Sequence, residues 1–472
     1  MSLVSPTVCS GLLTDLYQLT MAAGYHHLGM HERRAVFHLF FRKPPFGGAY
    51  ALAAGVTSAM RFLEELRFGA DDLDYLATLR GADEQPLFRP AFLELLAAAP
   101  PGLGLDVDGM LDGTPAFPRE PLLRVSGPLW AGQLVETPLL TMVNFETLIA
   151  TKASRICRAA EGPVLEFGLR RAQGVDGGLS ASRAAYIGGV ASTSNVLAGK
   201  QAGIPVRGTH AHSWVMCFPD ELTAFEGYAE ALPNNVVLLV DTYDTHQGVE
   251  HAIEVGRGLA ARGHRLLGIR LDSGDLVALS QHARARLDAA GLTDTVIVAS
   301  DDLDEHRITA LRAAGARIDV WGVGTRLVTG HDQPALGGVY KLGAIAEDGG
   351  WRYAIKRSEN PIKVSDPGIL GVRRLRDAAG RAAGDVLHDV DLPPDAPGED
   401  LLQPLLRGGR RVGPLLDVHA ARERASEQLA LLPPDVLRLS EAATYPVGTE
   451  LRLAARKAEM LRSAGGRDPP AP

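Results

Sequence analysis

Cysteine is scarce in this chain. Cys9, Cys157 and Cys217 are three in 472 residues, far apart and without a CxxC pair. That excludes a disulfide framework and the paired thiols of a structural zinc site. Each is expected to be a small buried apolar side chain. No stretch approaches the ~18 consecutive apolar residues of a membrane span. Met1 to Leu12 holds no Lys or Arg and no long apolar core, so it does not read as a secretory signal. Basic charge is not in excess either: 48 Lys and Arg against 56 Asp and Glu leave a formal net charge of −8. A large nucleic-acid-binding surface is therefore not expected. These absences predict a cytoplasmic protein with neither nucleic acid nor membrane as partner. What is present is ordinary for a globular chain, with 46% hydrophobic and 22% charged residues and a length that allows two or three domains.

Between Val164 and Thr325, short apolar runs end repeatedly in polar residues. Val164–Phe167 leads into Gly168-Leu169-Arg170-Arg171. Ile204-Pro205-Val206 is followed by Gly208-Thr209-His210-Ala211-His212-Ser213. Val236–Val240 ends in Asp241-Thr242-Tyr243-Asp244-Thr245, and Leu266–Ile269 in Arg270-Leu271-Asp272-Ser273-Gly274-Asp275. Val296–Ala299 ends in Ser300-Asp301-Asp302, and Ile318–Trp321 in Gly322-Val323-Gly324-Thr325. Short Val/Ile/Leu runs read as buried parallel strands. An α/β barrel places its chemistry at the carboxyl ends of such strands. Six ends in order predict one site lined from six directions.

The rest of the chain reads differently. Thr14 or Asp15 can cap a helix beginning near Leu16, and Ala35–Phe41 reads as a strand. Two or three helices follow between Val56 and Ala99, then short strands interrupted by prolines up to Glu136. From Leu139 the pattern becomes strand, turn, helix. The helices are expected at Leu139–Ala160, Ser182–Val190, Glu221–Leu232, Val249–Arg262, Leu276–Ala290 and Glu305–Ala314, and from Val236 the strands recur every ~30 residues. Gly337–Ile345 and Trp351–Lys356 predict a hairpin. Asp377–Gly413, rich in Gly, Pro and charge, is expected to contain an exposed loop or linker, Ser440–Leu461 has helical character, and Ser463–Pro472 predicts a disordered tail.

Residue chemistry narrows the function. His210 and His212 would share a face if they lay on a strand, so a metal pair is conceivable. No third ligand stands nearby, and a catalytic His212 is the better functional reading against a satisfied core histidine. Asp272 and Asp275 flank a tight Gly turn. Asp275 also fits a helix cap, leaving Asp272 to face a ligand with Arg270 on the same side. Gly322, Gly324 and Thr325 suit a phosphate, since Gly lets backbone N–H groups approach closely. Phe167 and Arg170 can stack on and pair with an aromatic acid, although a core Phe and a surface Arg are each commoner.

These motifs, together with Thr14-Asp15-Leu16-Tyr17-Gln18-Leu19-Thr20-Met21 and Gly337-Gly338-Val339-Tyr340-Lys341-Leu342, appear in the order found in nicotinate phosphoribosyltransferases. The chain resembles that family, a type II phosphoribosyltransferase, from Leu13 to about Lys363. The resemblance implies an irregular TIM-like α/β barrel at 138–335. It implies a smaller β-rich α+β domain built from an N-terminal part, 1–137, and a post-barrel part, 336–462. It implies transfer of phosphoribosyl from phosphoribosyl pyrophosphate to nicotinate, coupled to ATP hydrolysis and supported by Mg²⁺. By position, His212 resembles the histidine phosphorylated by ATP. Tyr17, Phe167, Arg170, Thr209 and Arg270 resemble nicotinate contacts. Asp272, Ser273, Asp275, Gly322, Gly324 and Thr325 resemble the phosphoribosyl pyrophosphate site, and Asp241 and Asp272 catalytic residues, Asp241 near Mg²⁺, with Asp241 or Asp244 expected to orient the His212 ring. A homodimer with shared active sites is implied, Tyr17 reaching the neighbouring subunit. The chain departs from the family at Ser300-Asp301-Asp302, where many members carry Asn in place of one or both Asp, and at Ile369-Leu370-Gly371, where many members carry basic residues. Lys356, Lys363, Arg373 and Arg374 are candidates to supply that charge. A nicotinamide-specific transferase would place an acid beside the ring amide, and none stands in Thr209–His212. A non-catalytic sugar-phosphate-binding barrel would lack His212 or the Asp-Ser-Gly-Asp turn, and both are present.

Overall fold

The computed structural model describes residues 9–463. The tail expected at 463–472 lies, from residue 464 on, outside the described residues. The chain divides into two compact units, Ile149–Pro334 and the pair of segments Met1–Leu148 and Ala335–Pro472.

The central unit carries a six-stranded parallel sheet. Its order is Ser192–Thr193, Val164–Glu166, Val320–Val323, Val296–Ala299, Gly268–Leu271, Val237–Leu239. The strands are short and largely buried, as Val/Ile/Leu runs between helices should be. Each of four following helices opens on an aspartate whose carboxylate accepts a backbone N–H. Asp220 serves Glu221–Ala231, Asp244 serves Thr245–Ala261, Asp275 serves Leu276–Ala289 and Asp304 serves Glu305–Ala313. The side chain replaces a backbone acceptor that the first helical turn lacks, which stops the strand and starts the helix within a few residues.

Two expectations change here. Ile204–Val206 forms no ladder strand. Only an isolated parallel bridge joins Val206 to Thr193, because Pro205 has no N–H to give. The edge position belongs to Ser192–Thr193, too short to read from the sequence. The strand order is also open: among the described residues no ladder joins the end strands at 192–193 and 237–239. The unit is mixed α/β with a parallel sheet, short of a closed barrel. The helix expected from Ser182 begins at Gly174, its first turn disguised by glycines, and the helix Val196–Ala202 was not anticipated.

The other unit is built on an antiparallel sheet of seven strands. Arg34–Phe41 lies between Gly338–Glu347 and Leu123–Pro128, with Ala35 opposite both Ile345 and Gly127. Seven of its eight residues are buried, and Phe37, Leu39 and Phe41 enter the main core. Three helices follow at Val56–Glu65, Ala70–Thr78 and Pro90–Ala97. Gly338–Glu347 and Gly350–Tyr353 form the expected hairpin. Asp377–Gly413 holds the expected exposed loop at 391–397, but strands lie on both sides of it. These are Ala382–Asp389, Gly398–Asp400, Leu402–Arg407 and Arg410–Arg411, which join two sheets. The segment's charges pair across strands, some of them buried. Arg373 forks onto Asp400 at 2.8 Å through both Nε and Nη2. Arg374 is buried and holds Asp385 at 2.9 and 2.6 Å. Both guanidinium groups are thus engaged by carboxylates of neighbouring strands. Asp15 occupies the N-cap of Leu16–His27 without a cap bond, its carboxylate accepting instead from Thr137 Oγ1 at 2.8 Å. Of the cysteines, Cys9 is buried but Cys217 is exposed.

Candidate active site

The ends of the central strands converge on Asp272. It follows Gly268–Leu271 and opens a turn in which Gly274 has φ 85°, a backbone region that disfavours side chains. Asp275 closes the turn as a cap, its Oδ1 accepting from the N–H groups of Val277 and Ala278 at 3.0 and 3.2 Å. Asp241, from the neighbouring strand end, accepts from the Asp272 N–H at 2.8 Å and the Ser273 hydroxyl at 2.7 Å. The other oxygen of Asp241 is buried without a hydrogen bond.

Arg270 ties three segments together. Its Nε donates to Ser300 Oγ at 2.9 Å, Nη1 to Thr209 Oγ1 at 2.6 Å and Nη2 to Asp272 Oδ1 at 3.2 Å. Ser300 in turn donates to Asp272 Oδ1 at 2.6 Å. Ser300 thus links Arg270 to Asp272 within this network.

His212 begins the short helix His212–Met216. Its Nδ1 is 3.1 Å from Thr242 Oγ1, and its Nε2 is 3.7 Å from Asp272 Oδ2. Neither Asp241 nor Asp244 orients the ring, contrary to expectation: Asp241 holds the 272–273 turn and Asp244 caps a helix. His210 is no partner of His212. Its buried Nε2 accepts from the Leu239 N–H at 3.2 Å, and its ring packs on Phe225 and Tyr228. Burial first, then the charges of Arg270 and His212, bring its pKa down to about 4, against the opposing pull of the Ala211 carbonyl. It is the satisfied core histidine, and it joins the 237–239 strand end to the 204–211 segment across the open edge.

A cleft of about 240 Å³ lies beside this network. It is lined by Phe167, Arg170, Arg171, Arg270, Asp272, Ser300, Asp301, Asp302, Gly322, Gly324 and Thr325. Gly322 is required there, since a Cβ would stand 2.9 Å from the Phe167 ring and 3.2 Å from Ser300 Cβ. Buried Glu166 fixes the loop carrying Phe167 and Arg170: it accepts from the Gly168 N–H, from Ser182 Oγ at 2.9 Å and from Thr193 Oγ1 at 2.5 Å. Asp302 has φ 41°, an uncommon conformation for a residue with a side chain. Asp301 pairs with Arg307 at 2.6 Å. Thr209 and Asp241 stand one hydrogen bond behind the cleft wall. Tyr17 belongs to the other unit, 48% exposed on its helix.

The structure therefore brings together Phe167, Arg170, Arg270, Asp272, Gly322, Gly324 and Thr325, with Thr209, Asp241, Ser273 and His212 around them. Sequence reasoning missed the parts of Thr242, Ser300, Arg171 and Glu166. A signal for two of them was present. Residues about one βα repeat apart meet here: His212 and Thr242 are 30 apart, as are Arg270 and Ser300. Among the described residues no three His, Cys, Asp or Glu cluster as a ready metal cage, and no helix is long and apolar enough to cross a membrane.

Cationic, carboxylate and hydroxyl groups gathered at the carboxyl ends of parallel strands define a mixed α/β enzyme with a site for a small anionic ligand. Comparison with known proteins sharpens this. Residues 12–144 match the nicotinate phosphoribosyltransferase N-terminal domain, 163–367 the nicotinate phosphoribosyltransferase family model, and 392–457 the corresponding C-terminal domain. The Bacillus subtilis nicotinate phosphoribosyltransferase is 50% identical over 77% of this chain and 73% of its own length. A Mycobacterium tuberculosis nicotinate phosphoribosyltransferase is 43% identical over 95% of this chain and 93% of its own. The crystal structure of human nicotinic acid phosphoribosyltransferase superposes with a TM-score of 0.82 at 35% identity, covering 95% of this chain and 99% of that one. The chain belongs to the nicotinate phosphoribosyltransferase family.

Proposed function

We propose that this protein joins nicotinate to phosphoribosyl pyrophosphate, giving nicotinate mononucleotide and pyrophosphate, with ATP hydrolysis coupled through His212. The observation that carries the reading is the single cleft in which the Phe167 ring, the guanidinium groups of Arg170 and Arg270 and the Gly322–Thr325 turn face one space. The ring offers a stacking surface, the guanidinium groups match a carboxylate and phosphates, and the glycine turn admits a sugar phosphate closely. Asp272 faces the same space. Together with Ser273 it is placed to receive the ribose and pyrophosphate, while Asp275 holds the turn. Aligning the pyridine nitrogen with the sugar carbon is what these contacts contribute to rate, and Arg171, the remaining arginine of the cleft, is left to stabilise charge on the departing pyrophosphate.

Mg²⁺ fits the donor set. Asp241 keeps one buried oxygen without a hydrogen bond, and Mg²⁺ commonly takes one or two carboxylates with water and phosphate completing its shell. Asp241, with Asp272 beside it, would hold the ion, which when bound neutralises charge on the pyrophosphate.

Three further parts belong to this reading. The parallel sheet is part of an irregular barrel whose gap is spanned by the 204–211 segment, supported by the Thr193–Val206 bridge and the His210–Leu239 bond. The protein works as a homodimer with shared sites, Tyr17 acting in the partner's cleft. Exposed Leu16, Tyr17 and Met21 on one helix support this, since exposed apolar clusters mark interfaces. The protein is cytoplasmic, consistent with three cysteines that form no disulfide.

The deciding experiment is product analysis with nicotinate or nicotinamide as acceptor, with and without ATP. Nicotinate mononucleotide should form, faster or further with ATP. Equal turnover of nicotinamide overturns the assignment of Arg170 and Arg270 to a carboxylate.

A further inference from the structure

The two nitrogens of His212 are not equivalent. Nδ1 is within hydrogen-bond distance of Thr242 Oγ1, at 3.1 Å. Among the described residues Nε2 makes no hydrogen bond, and Asp272 Oδ2 is 3.7 Å away. The side chain of His212 is 40% exposed, so a ligand can reach it. Thr242 is not a loose neighbour. The residue before it, Asp241, is tied by two hydrogen bonds to the 272–273 turn. Two residues later, Asp244 is fixed as the cap of Thr245–Ala261. The hydroxyl is therefore presented from a short segment anchored at both ends.

We propose that Thr242 is the positioning residue of His212, occupying Nδ1 so that Nε2 is the nitrogen that takes the phosphoryl group. This rests on the reading above that His212 is phosphorylated by ATP, and deepens it by naming the atom and the residue that selects it. With the ring neutral and its proton on Nδ1, that N–H donates to Thr242 Oγ1 and the Nε2 lone pair is free. Nε2 attacks the γ-phosphorus. The Nε2–P bond forms as the bond from phosphorus to the bridging oxygen breaks, and ADP leaves with that electron pair. The proton stays on Nδ1, still facing Thr242, and the positive charge of the ring is met by Asp272. Asp272 thus serves the charged product, while the hydroxyl sets the ring's orientation. A neighbouring group that fixes one ring nitrogen commonly decides which role the other plays.

The test uses the full-length protein with γ-phosphate-labelled ATP. Phosphorus NMR of the denatured phosphoprotein distinguishes the two phosphohistidine isomers, and rapid quench gives the rate of label uptake. Wild type should carry label on Nε2. Thr242→Val, nearly isosteric but without the hydroxyl, should take label roughly 100-fold more slowly, the scale of a misplaced reacting group, and in mixed isomers. Thr242→Ser should restore both rate and isomer, which a purely space-filling role would not do. Should the Val variant not fold, the wild-type isomer and the Ser variant still decide. Label on Nδ1 in the wild type, or uptake in a folded Val variant equal to the wild type, overturns the proposal while leaving the phosphohistidine reading intact. Wild type that takes no label on His212 overturns both.

Discussion

Each unit holds a cluster made of arginine, carboxylate and hydroxyl, and the two clusters do opposite things. In the outer unit, Arg374 lies against the stacked rings of Phe117 and Tyr445, its Cζ 5.5 and 5.9 Å from their centroids. Asp385 takes two bonds from Arg374 and a third from the Tyr445 hydroxyl at 3.0 Å. Glu120 completes the group, and all of these side chains are buried or nearly so. In the central unit, Arg270, Asp272, Ser300 and Thr209 form a comparable net, but one side opens on a cleft. The same residue types form a sealed cluster where water is excluded on every side and remain open to a ligand where one side faces a cleft. Burial makes the first cluster costly to break, and exposure leaves the second free to exchange partners.

Mutating the two clusters should separate stability from activity. The largest effect is expected at His212. His212→Ala should abolish ATP hydrolysis and acid-labile labelling while a slow ATP-independent transfer persists, with the urea midpoint close to wild type because the side chain is partly exposed. Labelling that survives the substitution, or disappears only in His210→Ala, would assign the chemistry elsewhere. Next is Arg374→Met, which strands Asp385 among aromatic rings. It should cost about 3–5 kcal/mol in urea unfolding, and a loss below 1 kcal/mol would show that the sealed cluster is not structural. Arg270→Ala removes charge-assisted bonds at the open cluster. It should lower kcat/KM for nicotinate roughly 10- to 100-fold, about 1.5–3 kcal/mol, with a smaller change in stability. Unchanged nicotinate kinetics would remove Arg270 from substrate binding.

The smallest effect is in pH. Burial, and then the charge of Asp385, pushes the Glu120 carboxyl well above its usual range. A carboxyl raised in the folded state contributes its full stability below the unfolded value, ~4.3. That contribution falls as pH rises toward the folded value. Glu120→Gln, which cannot ionise, should flatten this limb, giving a stability profile less sensitive to pH between 5 and 8. A variant as pH-sensitive as wild type would place the titration on another group.

Legibility in the sequence followed the same division. In the central unit the runs ending in Arg270–Asp275 and Gly322–Thr325 announced themselves, because a parallel strand must be apolar and its end must turn. The ~30-residue repeat even held the pairings of His212 with Thr242 and Arg270 with Ser300, though only adjacency in the sheet turns a period into a contact. Ser192–Thr193 stayed hidden because two residues carry no pattern. In the outer unit Arg34–Phe41 and the 338–353 hairpin were readable from their composition. The strands between Ala382 and Arg411 were not, since buried Arg374 and Asp385 look like surface charge until their partners across the sheet are known. The open strand order was also invisible. Whether a sheet closes depends on geometry at its edges, and here a histidine side chain stands where a backbone ladder would.

The chain leaves the outer unit at Leu148 and returns at Ala335. The strand made first, Arg34–Phe41, has Gly338–Glu347 as one of its two neighbours. During synthesis at ~5–20 residues per second, that edge waits roughly 15–60 s for its partner. It is a run of Val and Phe in the interval, the kind of edge that recruits other chains. The central unit, by contrast, is continuous in sequence, Ile149–Pro334, and is synthesised before the return at Ala335. Protein quality in the cell would then depend on a timing problem: a chaperone, or a slower rate of initiation, is needed most in the interval between the first strand and the return at Ala335.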